Sequence, residues 1–164
     1  MAETNSLQYA NAYVTRPTVP NYSYGAALRE FFFSYTQVLV GTAADTILLC
    51  KLPPQSTLVM IMSYFEWATF TATATLSIGW QAYTDVNGAA VALSAAGLLS
   101  SLLLTTDRTW SGGMLLTATP DDSIPVVNRK VFNNSTEVTI YATIGVAAPG
   151  VGATLSGHFM VQTP

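Results

Sequence analysis

Charge is what this sequence has least of. Asp, Glu, Lys and Arg make up 9% of its 164 residues, against about 25% in a typical soluble domain. Hydrophobic residues reach 50% and the mean hydropathy is +0.37. Scattered charge keeps the surface of a freely diffusing monomer wet and unpaired, so a chain this poor in it needs another destination for its apolar surface. The six Lys and Arg form no cluster able to neutralise phosphates, which excludes nucleic acid as a partner. One cysteine and one histidine exclude a disulfide framework and any zinc site built from several such ligands. No cofactor and no metal are expected.

A membrane is the first destination to weigh. No charge falls between Asp85 and Asp107, and that stretch holds Val91-Ala92-Leu93 and Leu102-Leu103-Leu104. Gly88, Ser94, Gly97, Ser100 and Ser101 dilute it, and no cationic cluster flanks it. No Lys or Arg precedes an apolar core near the first residue, so no signal peptide is read there and an outer-membrane barrel is not expected. The remaining destination is contact with other protein chains. The length suits one domain with a sizeable core.

Residues 1–28 read as an extended N-terminal arm. They hold Pro17, Pro20 and three asparagines, show no apolar period, and carry Tyr9, Tyr13, Tyr22 and Tyr24. Residues before proline are pushed towards extended conformations. Disordered tails are usually charged and poor in aromatics, and this segment is the reverse. Tyrosine offers a large apolar body with a polar tip and suits contact surfaces. The arm therefore folds over its own domain, lies on a neighbouring subunit, or stays disordered; the four tyrosines are the candidate contact residues for the second case.

Residues 29–164 read as strands. Phe70, Ala72, Ala74, Leu76, Ile78 and Trp80 alternate with Thr, Ser and Gly over Thr69–Trp80, a period of two that no helix satisfies. Val138, Ile140, Ala142, Ile144 and Val146 alternate within Glu137–Val146, and Ala153, Leu155, Phe159 and Val161 do so within Ala153–Gln162. Phe31–Val40 and Thr46–Lys51 are also strand-like, with Gly41–Asp45 as a turn between them. Thr57–Glu66 is apolar on both faces, as a doubly buried strand would be. Met114–Thr119 and Val126–Phe132 complete the set, and Arg129 and Lys130 mark the last as an edge strand. Ala89–Ser101, rich in Ala and Leu, reads as one short helix. The class is all-β: a two-sheet β-sandwich of jelly-roll type with about eight strands. No charge follows Glu137, so two of the best strands have little protection against pairing with other chains, and a closed ring of like subunits would cover them.

Catalytic chemistry is not visible. His158, the one possible imidazole base, shares a strand face with Thr154, Ser156 and Gln162, and reads as a solvent or interface histidine. Cys50 follows Ile47-Leu48-Leu49 and reads as a buried structural thiol. The nine carboxylates fall mostly at turns or strand ends, where Asp supports backbone geometry, rather than as a glycosidase pair. Asp85-Val86-Asn87-Gly88 has only the tail of a calcium-loop pattern and reads as a tight turn. Asp121-Asp122 could hold a cation at a subunit junction, but a turn suffices. Three Asn-x-Ser/Thr matches, starting at Asn21, Asn133 and Asn134, read as chance.

The order of several short segments resembles a known family. Phe33-Ser34-Tyr35-Thr36 leads to Gly41-Thr42-Ala43-Ala44-Asp45 and Lys51-Leu52-Pro53. Leu76-Ser77-Ile78-Gly79, Ala82-Tyr83-Thr84-Asp85, Asn87-Gly88 and Ala90-Val91-Ala92 follow, then Glu137-Val138-Thr139-Ile140 and Ala153-Thr154-Leu155-Ser156-Gly157. This resembles the small structural proteins of tailed bacteriophage heads, among them capsid cement or decoration proteins. The likeness covers roughly residues 31–160 and leaves out the arm; Leu98–Leu104 with Asp107–Trp110 departs from it. It implies a β-sandwich, a homotrimer, the major capsid protein as partner, a place on the outer surface of the capsid, and no enzyme activity. The alternative is a receptor- or glycan-binding module of a phage tail or head fibre. Trp110, read as lying in a turn, is its best sugar-stacking residue, whereas Trp80 falls on an apolar face and reads as core.

Overall fold

The computed structural model describes residues 3–5, 27–59, 62–71, 73–104, 108–111 and 129–164, with no α-helix among them. The strands are β1 (Glu3–Asn5), β2 (Ala27–Thr36), β3 (Asp45–Leu52), β4 (Thr57–Val59), β5 (Tyr64–Ala68), β6 (Thr75–Trp80), β7 (Tyr83–Thr84), β8 (Ala90–Val91), β9 (Ser94–Leu103), β10 (Arg108–Ser111), β11 (Arg129–Val131), β12 (Val138–Gly145) and β13 (Thr154–Thr163). One sheet has the order β1-β3-β12-β6-β9. In the other, β10-β5 and β11-β4 share one edge of β13 and β2 runs along its opposite edge. β7 and β8 form a separate small hairpin. Ile47, Leu76, Ile78, Ile140 and Ile144 of the first sheet and Phe33, Phe65, Trp67, Leu155 and Phe159 of the second belong to one buried cluster. The fold is thus the two-sheet, all-β sandwich expected from the sequence, with more and shorter strands than eight.

The period-two segments built its centre. In β12, Val138, Ile140, Ala142 and Ile144 face the core, and in β13 Leu155, Phe159 and Val161 do. The apolar run in β3 breaks alternation because of a bulge: Cys50 pairs with Ile140 and Leu48 with Tyr141, which leaves Leu49 as an extra residue. An added residue flips the faces beyond it, so Ile47 and Leu49 before it and Cys50 and Leu52 after it all enter the core.

Other expectations are corrected. Ala89–Ser101 is not a helix; it contains β8 and most of β9, paired with β6 through two register shifts. Those irregularities erase the two-residue period, so an Ala- and Leu-rich strand looks helical. The strand expected over Thr69–Trp80 is only Thr75–Trp80. Thr69 sits at φ 64° and the Ala74 amide bonds the Thr71 carbonyl, so the first half is a turn whose threonines alternate by coincidence. Thr57–Glu66 is split into β4 and β5, which pair with different stretches of β13. Phe31–Val40 is shifted: the strand is Ala27–Thr36, and Val38, Leu39 and Val40 leave the sheet. Val146 does not continue the buried face of β12; it lies beyond the strand and is exposed. Trp110 lies in β10, opposite Phe65, not in a turn. β11 is at a sheet end, as its Arg129 and Lys130 suggested. Glu3–Asn5 pairs in parallel with Thr46–Leu48 of the same chain, and β2 takes in the last residues of the 1–28 segment. Tyr9, Tyr13, Tyr22, Tyr24, Met114–Thr119 and Asp121-Asp122 lie outside the described residues.

Candidate interaction surface

The residues that could have carried chemistry are held in structural roles. The Ser156 hydroxyl donates to Glu66 Oε1 at 3.0 Å, and Tyr64 donates to Glu66 Oε2 at 3.0 Å. His158 Nε2 meets the Met62 carbonyl at 3.2 Å, and its ring lies between Phe32 (centroids 5.7 Å apart) and Tyr64 (5.9 Å). Register places Phe32, His158 and Tyr64 directly opposite one another on β2, β13 and β5. Serine and histidine therefore each have another partner, and the arrangement provides no activated nucleophile. His158 is near-parallel to Tyr64 (22°) and edge-on to Phe32 (61°), contacts that strengthen cross-strand pairing. Cys50 is buried, and burial pushes its thiol well above its ordinary value of 9.0, the opposite of an activated thiolate.

The turns behave as read. Asp85 Oδ1 accepts from the Asn87 and Ala89 amides at 2.9 and 2.8 Å, and Gly88 takes φ 82°, the left-handed conformation glycine supplies without strain. Asn134 is buried; its side chain accepts from the Gln55 amide at 3.0 Å and donates to the Pro53 carbonyl at 3.1 Å and to the Thr136 carbonyl. Its amide is thus committed inside the fold rather than presented as a glycan acceptor. Trp80 is core, as expected, with Phe132 edge-on and Lys130 Nζ 4.6 Å from its ring centre. Among the described residues, no group of three His, Cys, Asp or Glu is placed to hold a metal ion, and no helix is long and apolar enough to cross a membrane.

What the surface does offer is an apolar pair of loops at one end of the sandwich, the end where register also places Glu3 opposite Thr46 and Arg108 opposite Trp67. The β2–β3 and β12–β13 connections both cross between the sheets there. Pairing of Thr36 with Thr154 and of Asp45 with Ile144 brings them together. Gln37 and Ala153, Gly41 and Pro149, and Gly152 and Gln37 share backbone hydrogen bonds of 2.8–3.2 Å. Asp45 is buried beneath and accepts from the Thr42 amide at 2.7 Å and from the Thr42 hydroxyl. Residues 37–44, 69–74 and 146–153 contain no Asp, Glu, Lys, Arg or His. On this frame Val38 is 81% exposed, Leu39 77%, Val40 76%, Val146 75% and Val151 58%. Single exposed aliphatics are ordinary, but a contiguous group of them marks a contact surface. Sequence reading missed it because Val38–Val40 and Val146 continue strand periods; Gly145, Pro149, Gly150 and Gly152 were the signal of a loop.

No protein-family model and no curated protein matches the chain. Among solved structures, its fold is similar to that of a chain in the capsid of Ralstonia phage GP4, with a TM-score of 0.63 and 14% identity over 99% of both chains. It is also similar to a chain in the capsid asymmetric unit of cyanophage Pam1, with a TM-score of 0.53 and 15% identity over 88% of this chain and 91% of that one. At these identities the likeness is one of fold. It spans nearly the whole of each chain. The resemblance to phage-head proteins drawn from short segments is met at that level.

Proposed function

We propose that this chain is a virion structural protein: a cement protein that sits on the outside of a bacteriophage head and bridges neighbouring major capsid subunits, as a homotrimer and without enzymatic activity. The observation that carries this reading is the fold likeness to a capsid chain of Ralstonia phage GP4 over 99% of both chains. The scarcity of charge in the sequence and the exposed aliphatics of the β2–β3 and β12–β13 loops support a molecule that works in contact with other proteins. A protein that binds only the assembled shell stabilises that state by linkage, and many copies in a lattice let weak single contacts add through multivalency. In this reading the arm, residues 1–28, with Tyr9, Tyr13, Tyr22 and Tyr24, reaches the shell.

The test is quantitative mass spectrometry of purified particles of the encoding phage. A copy number comparable to that of the major shell protein is expected. A few copies per particle would move the chain to the tail, portal region or fibres, and absence from particles would overturn the reading.

A further inference from the structure

We propose that Asn87, in the turn between β7 and β8, is a site of spontaneous deamidation, held in check by the hydrogen bonds that Asp85 organises. The inference concerns the chain's own covalent chemistry and does not rest on where the chain works.

The chemistry needs an asparagine amide, a following backbone nitrogen that can reach it, and water. The Gly88 nitrogen loses its proton and attacks Cγ of Asn87; a C–N bond forms and ammonia leaves. Water then opens the cyclic imide to aspartate or to isoaspartate, in which the main chain runs through the side-chain carbon. No oxidant, metal or other co-reactant enters. A side chain on the following residue obstructs ring closure, so glycine, which has no β-carbon, is the permissive neighbour. Asn87 is the only asparagine in the sequence followed by glycine. Both residues are exposed. Apart from its chain neighbours, no atom lies within 4 Å of where a β-carbon on Gly88 would stand. Water therefore reaches the site and no packed side chain crowds the ring.

What opposes the reaction is the turn. The Gly88 amide, whose nitrogen is the nucleophile, donates to the Asp85 carbonyl at 3.1 Å, which holds its proton and its direction. Asp85 Oδ1 accepts from the Asn87 and Ala89 amides, and the Asp85 amide donates to the Ala89 carbonyl at 2.9 Å. Ring closure therefore waits on local opening of the turn, and its rate follows the open fraction. Asn134 is the contrast. Its side-chain amide is buried and donates to the Pro53 and Thr136 carbonyls, and the following amide, that of Ser135, donates to the Thr84 carbonyl at 2.9 Å. Both halves of the reaction are blocked there. Modification at Asn87 also has a mechanical consequence. Isoaspartate adds one carbon to the main chain before Gly88, which displaces the bond from Gly88 to Asp85. The Val86 amide donates to the Asn133 carbonyl at 2.8 Å, so a loosened hairpin also loosens the turn before β12.

The experiment is incubation of the purified full chain in mildly alkaline buffer at physiological temperature over weeks. Samples are read by peptide-mapping mass spectrometry and an isoaspartate-specific methyltransferase assay, with circular dichroism to check folding. The acid should accumulate at Asn87 ahead of every other described asparagine, mostly as isoaspartate. Asp85→Ala removes the carboxylate that ties the turn and should quicken the reaction about five- to tenfold, the change in open fraction expected when such a bond is lost. Asp85→Asn keeps an acceptor oxygen and should stay near the wild-type rate, which separates the turn bonds from a general loss of fold. In urea, wild type should react faster at Asn87, and Asn134 should become reactive. Aged wild type should exchange amide hydrogens faster at residues 84–89 and 133–136. No acid at Asn87 in the folded chain or in Asp85→Ala would overturn the proposal, as would modification of Asn134 before Asn87. Equal rates in wild type, Asp85→Ala and urea would overturn the role of Asp85. The measurement uses no particles, so its failure is distinct from absence of the chain from purified particles.

Discussion

Gly97 lies directly against the indole of Trp80: a β-carbon at position 97 would stand 2.2 Å from both Cζ3 and Cη2 of that ring. Phe132 and Lys130 hold the ring on other sides, so it has no room to swing away. Gly97→Ala should therefore cost about 1–3 kcal/mol through overpacking. A thermal melt would read this as a drop of several degrees, and an unchanged Tm would show that the ring can move.

Asn134→Ala removes three hydrogen bonds: two tie the turn after β3 to the turn before β12, and the third, to the Thr136 carbonyl, closes the latter turn on itself. The groups left behind are buried or partly buried, and each unsatisfied one costs about 1–3 kcal/mol. Urea unfolding should show a loss of about 2–4 kcal/mol as a lower midpoint with an unchanged slope. Asn134→Asp should also be destabilised, since it cannot donate to the Pro53 carbonyl.

Asp45→Ala should cost about 1–2 kcal/mol, the range for losing a carboxylate that caps backbone amides. Hydrogen exchange should quicken in residues 38–44 ahead of the sheets, because the Thr42 anchor is lost while the β3–β12 pairing remains. Uniform quickening would show that Asp45 supports the whole sandwich instead.

Stability should fall at alkaline pH. Burial raises the Cys50 thiol above 9.0. Burial, joined at Tyr83 by the Asp85 carboxylate, raises the Tyr83 and Tyr141 phenols above 10.0. Each group keeps its proton in the folded chain at a pH where the unfolded chain has released it. The folded state then binds more protons, and stability decreases as pH rises. The contribution is full below about pH 9 and is lost above it. Cys50→Ala should lower stability at neutral pH and flatten the decline above pH 9. A thiol reagent should label Cys50 only on unfolding.

The proposed role of the arm at a phage head is tested by replacing Tyr9, Tyr13, Tyr22 and Tyr24 with alanine in the full chain, which should weaken binding to heads stripped of this protein. Single tyrosine anchors commonly carry more than about 1 kcal/mol, so the loss should exceed tenfold in affinity with no change in sedimentation. Undiminished binding would remove the arm from the contact.

Much of the sandwich is legible in the sequence because β12 and β13 obey one rule: alternate residues face the core. The structural roles of Cys50, Trp80 and the Asp85 turn are legible too, since each follows from local chemistry. What escapes is whatever depends on a partner strand. The bulge at Leu49 and the register shifts along β9 are set by pairing, and they break the two-residue period that the sequence would otherwise show. The parallel pairing of β1 with β3 joins segments that share no local pattern. The apolar loop pair escapes because a valine at positive φ looks, in sequence, like one more β-branched strand residue.

The position of β13 has a consequence for how the protein is made. Its ten residues pair with β2 along one edge and with β5 and β4 along the other, and it is the last of these strands in chain order. Until residues 154–163 are available, the edges of β2, β4 and β5 that pair with β13 have no partner, and such long-range closure is slow and exposes aggregation-prone edges. The stretch that must arrive carries no charge after Glu137, so it lacks the gatekeeper residues that restrain premature association. The folded yield is therefore expected to depend on how fast this last strand pairs relative to association of the waiting edges.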